Sequence, residues 1–268
     1  MKVLFFGDVV GQLGMAAIEA KLPTLIRQYD VDFVIANGEN VSKGRGLFYK
    51  DYERLIASGV ECVTLGNHYD AKKEINDYIE EVDRLVRPAN LLKFDKGEGA
   101  VAYDFGDYEL VVINMLGQVF LKDEVSSPIV KMEEIIEAHP DAIFFVDYHG
   151  EATSEKGLFA HYFDGIVAAV VGTHTHVQTA DGRVLPKGTA FISDVGYCGL
   201  AESVLGFTPE SAINTFVYGN GHLQLDDDND ARLNCVLIDI DELTHLAKTI
   251  QTLNIFVKKE EIHGQENN

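Results

Sequence analysis

The chain has 268 residues, of which 46% are hydrophobic and 24% are charged. This composition is typical of a folded globular protein and excludes disordered and collagen-like classes. Its 43 acidic residues outnumber its 22 basic residues and give a formal net charge of −21. Because such a charge repels nucleic-acid backbones and anionic lipid surfaces, we expect neither duplex nucleic acid nor a membrane as a partner.

The cysteines and the apolar runs indicate the cellular compartment of the protein. Cys62, Cys198 and Cys235 are far apart and form no C-x-x-C pair, which favours a reducing compartment over a disulfide framework. Asp8 interrupts the apolar run at the N-terminus, and the longest later run, Ile166–Val171, is too short to cross a bilayer. The sequence therefore predicts a cytoplasmic enzyme.

In the first part of the chain, β-prone runs alternate with segments of helical periodicity. Strands are predicted at Lys2–Phe6, Asp32–Ala36 and Glu61–Leu65, and helices at Met15–Tyr29, Phe48–Ser58 and Ala71–Val86. Alternation of this kind is typical of a parallel sheet covered by helices.

The second part of the chain is richer in strands. These are predicted at Gly99–Tyr103, Tyr108–Met115, Ala142–Val146, Ile166–Val171 and Thr189–Asp194, with one helix at Ile129–Ala138. Two further strands, Ala212–Leu225 and Arg232–Ile240, are predicted to pair around an acidic turn at Asp226–Asp230. From Thr249 onward we expect a strand and then a polar tail at about 258–268. No repeat or linker divides the chain, so we expect one α/β domain over residues 1–268.

Polar residues follow five of the predicted strands, each beside a glycine or at the strand end. In α/β sheets ligands bind beyond the carboxyl ends of the strands, so these loops are expected to converge. Oxygen and nitrogen donors without a thiolate suit two transition-metal ions, iron or manganese before zinc, that share a bridging carboxylate. The candidate metal ligands are Asp8, Glu39, Asn40, Asn67, His149, His174 and His176.

Each candidate has an ordinary structural interpretation when it is taken alone. Asp8 resembles a turn or helix cap, Asn40 and Asn67 resemble loop formers, and His149 resembles a core histidine. His174 and His176 stand in the order G-T-H-T-H, which turns both rings to one face. His68 follows Asn67 and is the candidate proton donor, and the alternative is that it only hydrogen-bonds a bridging carboxylate.

The order of these motifs resembles that of the calcineurin-like metallophosphoesterases, which carry D-x-H, GD, GNH, a lone histidine and GHxH. This chain reads GDVV from Gly7, GEN from Gly38, GNH from Gly66, His149, and GTHTH from Gly172. The match runs along roughly residues 1–200 and implies a layered α/β/β/α sandwich.

Two departures narrow the resemblance. Val10 stands where that superfamily has a histidine, and Glu39 stands where it has an aspartate, with Asn40 able to replace the lost ligand. Together with HGEATSEK from His149 and SDVGYCG from Ser193, these features resemble the YmdB-like branch over nearly the whole chain. Tyr69 replaces a more usual tryptophan at the pocket rim.

The resemblance implies the site and the activity. Asp8, Glu39, Asn40 and His176 would hold one metal ion, and Glu39, Asn67, His149 and His174 would hold the second. The expected reaction is hydrolysis of a cyclic nucleotide, with substrates of the 2′,3′-cyclic AMP type favoured. A hydroxide that bridges the two metal ions would attack in line, and His68 would be the proton donor. Lys43, Arg45 and Lys156 are candidates for the entrance.

Two alternatives stay open at this point. One is a broad phosphomonoesterase that uses the same site, and the other is a regulatory protein that binds a nucleotide with little turnover. The sequence also leaves open whether the chain forms homo-oligomers.

Overall fold

The structure, a computed structural model, describes residues 1–264. Its helices are α1 (Gly11–Tyr29), α2 (Tyr49–Ala57), α3 (Ile75–Tyr78), α4 (Pro128–Ala138), α5 (Thr153–Tyr162), α6 (Pro209–Phe216) and α7 (Lys259–His263). Among these residues no helix combines the length and the apolar composition that crossing a membrane requires.

The first sheet has eight strands. They are β1 (Lys2–Phe6), β2 (Asp8–Val9), β3 (Phe33–Asn37), β4 (Cys62–Thr64), β5 (Leu85–Val86), β12 (Tyr197–Leu200), β13 (Ala231–Asp241) and β14 (Leu246–Val257). Its main path runs in the order β2-β12-β13-β1-β3-β4-β5, and β14 pairs with β13. The strands β1, β3, β4 and β5 are parallel, so their carboxyl ends lie at one edge.

The second sheet has six strands. They are β6 (Ala100–Asp104), β7 (Glu109–Leu116), β8 (Ile143–His149), β9 (Ala169–Thr173), β10 (Arg183–Val184) and β11 (Ala190–Ile192). Their order is β10-β11-β9-β8-β7-β6, and β7, β8, β9 and β11 are parallel.

Alternating side chains divide the core into three layers, because successive residues of a strand point to opposite faces. In β1, Leu4 and Phe6 pack against the helices of the first sheet, whereas Phe5 packs between the sheets. The rings of Phe5 and Phe145 lie 5.7 Å apart across that layer. On the outer face of the second sheet, Phe144 packs in the third cluster. This order of helices, two sheets and helices confirms the expected α/β/β/α class.

The predicted helix at Ala71–Val86 is wrong over most of its length. Only Ile75–Tyr78 is helical, and Leu85–Val86 is the strand β5, which pairs in parallel with β4. Both residues of β5 are buried, to 1% exposure or less. Pairing at the sheet therefore overrides the local helical periodicity.

The predicted strand at Ala212–Leu225 is also wrong, because Pro209–Phe216 forms α6. Pro209 in the first turn has a backbone φ angle that suits a helix. The prediction followed the apolar pattern of the segment instead of this proline. The strand β13 instead forms its hairpin with β14. Within the acidic run, Asp227 accepts the Leu13 N–H at the start of α1, and Asp230 accepts the Lys259 N–H at the start of α7.

The expected polar tail at about 258–268 begins with an ordered helix. Lys259–His263 forms α7, and Ile262 is buried against the first sheet and α1. Residues 265–268 of the expected tail lie outside the described residues.

Candidate metal centre

The loops that follow the strands converge on one buried point between the two sheets. Asp8 comes after β1, Glu39 after β3 and His149 at the end of β8. One ligand atom from each of these three residues lies within 4.8 Å of the other two, and all three side chains are 1% exposed or less. Two carboxylates so deeply buried require cations beside them.

Glu39 lies at the centre and contacts two groups of predicted ligands. The Glu39 Oε1 atom is 3.2 Å from Asn40 Nδ2 and 3.3 Å from His149 Nε2. A single carboxylate oxygen is therefore in reach of both groups, as a bridging ligand must be.

The first group surrounds the Asn40 amide. The Asn40 Nδ2 atom is 3.3 Å from Asp8 Oδ1 and 3.2 Å from His176 Nε2. The Asn40 Oδ1 atom, the atom that a metal would need, turns to the His68 ring instead. Rotation of the amide by half a turn exchanges these two atoms.

The second group surrounds His149. The His149 Nε2 atom is 2.9 Å from Asn67 Oδ1 and 3.1 Å from His174 Nδ1. We define the ligand cluster as the seven residues that the structure brings together in the two groups, namely Asp8, Glu39, Asn40, Asn67, His149, His174 and His176.

Each histidine of the ligand cluster keeps one ring nitrogen on an outer acceptor. The His149 Nδ1 atom is 2.9 Å from Thr173 Oγ1, His174 Nε2 is 3.2 Å from Glu151 Oε2, and His176 Nδ1 is 3.0 Å from the Leu205 carbonyl. An outer acceptor fixes the orientation of each ring and leaves its other nitrogen facing the cluster, which is the position from which metal-bound histidines coordinate.

The charges of the ligand cluster are strongly coupled. Burial raises the pKa of Glu39, but the charge and hydrogen bond of His149 outweigh burial and hold that pKa well below its usual value. Burial likewise lowers the pKa of His149, and the Glu39 carboxylate outweighs it and raises that pKa to about 9. For His174, burial and the charge of His149 lower the pKa to about 4.

His68 lies at the rim of the ligand cluster, with its side chain 25% exposed. Its backbone N–H donates to Glu39 Oε2 over 2.8 Å. Its Nδ1 atom is 2.7 Å from Asn40 Oδ1 and 3.1 Å from Glu39 Oε1. The ring is thus hydrogen-bonded to the central carboxylate, as the alternative interpretation expected, and this contact uses only one of its two nitrogens.

A buried network behind His149 was missed in the sequence. The Thr173 hydroxyl, which accepts from His149, donates to Asp147 Oδ1 over 2.6 Å. Asp147 also accepts from Thr64 over 2.6 Å and from Asn37 over 3.0 Å. Burial raises the pKa of Asp147 to about 6. Asp147 and Thr173 belong to the neighbouring strands β8 and β9, so only the tertiary structure reveals their contact.

Lys156 does not line the entrance, and that prediction is wrong. It is fully buried, where its Nζ donates to the Thr173 carbonyl over 2.7 Å and to Asp194 over 3.0 Å. Asp194 also accepts the Thr175 N–H over 2.9 Å. This ion pair fixes the loop that carries His174 and His176, both of which have positive φ angles of 100° and 61°.

The backbone approaches the ligand cluster most closely at Gly66. A Cβ atom at this position would lie 2.4 Å from Glu39 Oε2 and 2.5 Å from the His149 ring. Glycine is therefore required here for the loop of Asn67 and His68 to reach the site.

A cavity of about 430 Å³ opens beside the second group. Arg45, Lys122, Asn67 and His174 are among its lining residues, so the prediction that Arg45 lies at the entrance is confirmed. Lys43 is exposed and is not part of this lining.

The donor set fits transition-metal ions. It combines two buried carboxylates, amide side chains and three histidine nitrogens that face the cluster, and the three cysteines of the chain are buried elsewhere as free thiols. Nitrogen and oxygen donors of this kind suit iron, manganese and zinc.

Comparison with known proteins gives close similarity over nearly the whole chain. The family model described as YmdB-like protein matches residues 4–253. The chain is 43% identical to the 2′,3′-cyclic-nucleotide 2′-phosphodiesterase of Bacillus subtilis (strain 168), covering 95% of this chain and 97% of that protein.

Two solved structures have the same fold. The crystal structure of a phosphatase from Mycoplasma pneumoniae is 36% identical, covers 99% of this chain and 96% of its own, and superposes with a TM-score of 0.90. A hypothetical protein from Thermus thermophilus is 34% identical, with 96% and 100% coverage and a TM-score of 0.88.

Proposed function

This chain belongs to the YmdB-like protein family, and on that basis we propose that it is a metal-dependent phosphodiesterase that hydrolyses cyclic nucleotides. The observation that carries the proposal is the arrangement of His149, His174 and His176. Each ring is anchored outward and turns its other nitrogen to a buried pair of carboxylates. The resulting cluster is preorganised for cations and, through them, for an anionic substrate.

The two groups of the ligand cluster correspond to the two proposed metal positions. Asp8, Asn40 and His176 would hold one ion, Asn67, His149 and His174 would hold the other, and Glu39 would contact both. Iron and manganese are the proposed metals, with zinc as the alternative. The chemistry that such ions supply when bound is polarisation of phosphoryl oxygens and a lower pKa of water.

We propose that His68 acts as the proton donor. The Glu39 Oε1 atom lies 3.1 Å from the His68 Nδ1 atom and holds a ring N–H there, also when the Asn40 amide is rotated so that its Oδ1 atom faces the metal position. The imidazolium then has its Nε2 proton on the opposite side of the ring, where it can be transferred to a leaving alkoxide. The same hydrogen bond orients the ring, which limits its motion during the transfer.

A 2′,3′-cyclic nucleotide is the proposed substrate, since the Bacillus subtilis relative is named for that activity. A phosphomonoesterase is the second candidate, because the solved Mycoplasma pneumoniae relative is described as a phosphatase. The two activities differ in the leaving group, an alkoxide of the ribose ring in the first and a free alcohol in the second.

The experiment compares three substrates with protein purified without chelator. We expect turnover of 2′,3′-cyclic AMP to exceed that of 3′,5′-cyclic AMP and of p-nitrophenyl phosphate. Prior removal of metal by a chelator should abolish turnover of all three substrates. Preference for the monoester would establish the second candidate, and turnover that survives complete metal removal would contradict both.

We also propose that residues 1–268 form a single domain and that the protein works in the cytoplasm. The layer between the sheets, with Phe5 against Phe145, joins the two halves through one continuous core. Limited proteolysis that released two stable fragments would contradict the single domain.

A further inference from the structure

A second cavity, of about 370 Å³, lies beside the first group of the ligand cluster. His176 and Tyr197 line it, and their rings stack with centroids 5.9 Å apart. A ligand that reaches from the ligand cluster into this cavity therefore passes along the His176 ring. We call it the Arg232 cavity after the guanidinium in its lining.

The far wall of the Arg232 cavity is the beginning of β13. Arg232 and Asn234 are two residues apart, so they share the strand face that carries Val236 and Ile238. Those valine and isoleucine side chains are fully buried between the sheets. The same face thus changes from apolar to polar at the point where it borders the cavity.

Arg232 is a cation without a counter-ion in the part of the chain that the structure describes. No carboxylate of residues 1–264 forms an ion pair with it, and its Nε atom is buried with no hydrogen-bond acceptor. Buried donors without a partner are rare, and this one is an arginine in a chain of net charge −21.

Asn234 provides a second donor of the same kind. Its side chain is 3% exposed, its Oδ1 accepts the Tyr197 N–H over 3.3 Å, and its Nδ2 has no acceptor among the described residues. The neighbouring Gln178 amide donates to the Leu253 carbonyl over 3.1 Å. Arg232 Nε and Asn234 Nδ2, the buried side-chain atoms at this wall that lack a partner among the described residues, are therefore both donors.

The acidic residue in the lining, Glu202, does not satisfy these donors. Glu202 is exposed to solvent, where water screens its charge. A ligand with several acceptor atoms and a negative charge would complete the wall, and a phosphate group, which a planar guanidinium binds through two parallel hydrogen bonds, has that chemistry.

We propose that the Arg232 cavity binds a second phosphate of the substrate, on the 5′ oxygen of the ribose, while the cyclic phosphate lies at the ligand cluster. This inference rests on the proposed function. The 5′ oxygen and the 2′,3′ oxygens lie on different edges of the ribose, and a cavity of this volume accommodates a group of nucleoside size. The enzyme would then prefer 5′-phosphorylated cyclic nucleotides.

The test measures kcat/KM for 2′,3′-cyclic AMP with and without a 5′-phosphate. We expect wild-type enzyme to prefer the 5′-phosphorylated substrate by about tenfold or more, the effect of a charge-assisted hydrogen bond. Arg232→Gln should bring the ratio close to one, and Asn234→Asp, which keeps the acceptor for the Tyr197 N–H, should reduce it further by repulsion. Lys248→Gln, the same charge change at an exposed position on β14, should keep the wild-type ratio.

A binding measurement separates this inference from the proposed function. Calorimetry of adenosine 5′-phosphate against adenosine should show tighter binding of the phosphate in wild type and loss of that difference in Arg232→Gln, whether or not the cyclic substrates are hydrolysed. Equal kcat/KM for both substrates, or a binding difference that Arg232→Gln leaves intact, would overturn the inference. Arg232-dependent binding of inorganic phosphate without any substrate preference would show a site for free phosphate and would also overturn it.

Discussion

The ligand cluster and the Arg232 cavity lie next to each other and differ in the sign of their buried charge and in how that charge is compensated. In the ligand cluster, buried carboxylates are surrounded by histidines whose outer nitrogens are fixed by Thr173, Glu151 and the Leu205 carbonyl. In the cavity, Arg232 and Asn234 have N–H groups for which no described residue provides an acceptor. On our two proposals, the first region binds cations through many contacts, and the second binds an anion that arrives with the substrate.

Glu39→Gln should have the largest effect of the substitutions in the ligand cluster, on both metal content and turnover. The substitution removes the charge of the carboxylate that contacts both groups, so we expect loss of at least one metal ion and a decrease in kcat of about 10³-fold or more. Metal content and initial rates measure both effects. Glu137→Gln, an exposed glutamate on α4, is the control, and equal metal content and rates in both variants would contradict the role of Glu39.

His68→Ala should lower turnover by roughly 10²–10⁴-fold and leave the metal content intact. The reason is that the variant loses the Nε2 proton without losing a predicted metal ligand. His161→Ala, at an exposed histidine of α5, is the matched control. Loss of metal in His68→Ala would make His68 a ligand and exclude its role as proton donor.

Thr173→Val should have a smaller effect. It keeps the side-chain shape but removes the hydroxyl between His149 and Asp147, so the His149 ring loses the acceptor that orients it. Changes to residues that orient a metal ligand typically cost about 10- to 100-fold in affinity or rate. Metal titration and rates compare it with Thr175→Val in the same loop, and wild-type metal affinity in Thr173→Val would show that the network does not orient His149.

The sequence was informative about the ligand cluster because its members stand in short glycine-bearing loops after strands. Asp8, Glu39 and His149 each follow a recognisable apolar run, so their convergence follows from the carboxyl ends of parallel strands. The partners of the histidines were not predictable in this way. The Leu205 carbonyl is a backbone atom distant in sequence from His176, and Thr173 lies within a strand.

The fold was predictable where burial and local preference agreed. The compact β-prone runs of β1 and β3 identified strands correctly, whereas Leu85–Val86 continued a helical pattern and only pairing with β4 makes it a strand. The proposed role of Arg232 could likewise not be predicted from the sequence. Its place in an alternating strand is visible in the sequence, but the absence of a counter-ion among the described residues depends on every surrounding loop.

A metal titration tests the central claim most directly. Wild-type protein freed of metal is titrated with Mn²⁺, and hydrolysis of 2′,3′-cyclic AMP is measured at each step together with bound metal. Two metal positions that share Glu39 predict that turnover reaches its plateau at two ions per chain. A plateau at one ion per chain, or full turnover before any metal is added, would contradict the two-metal centre.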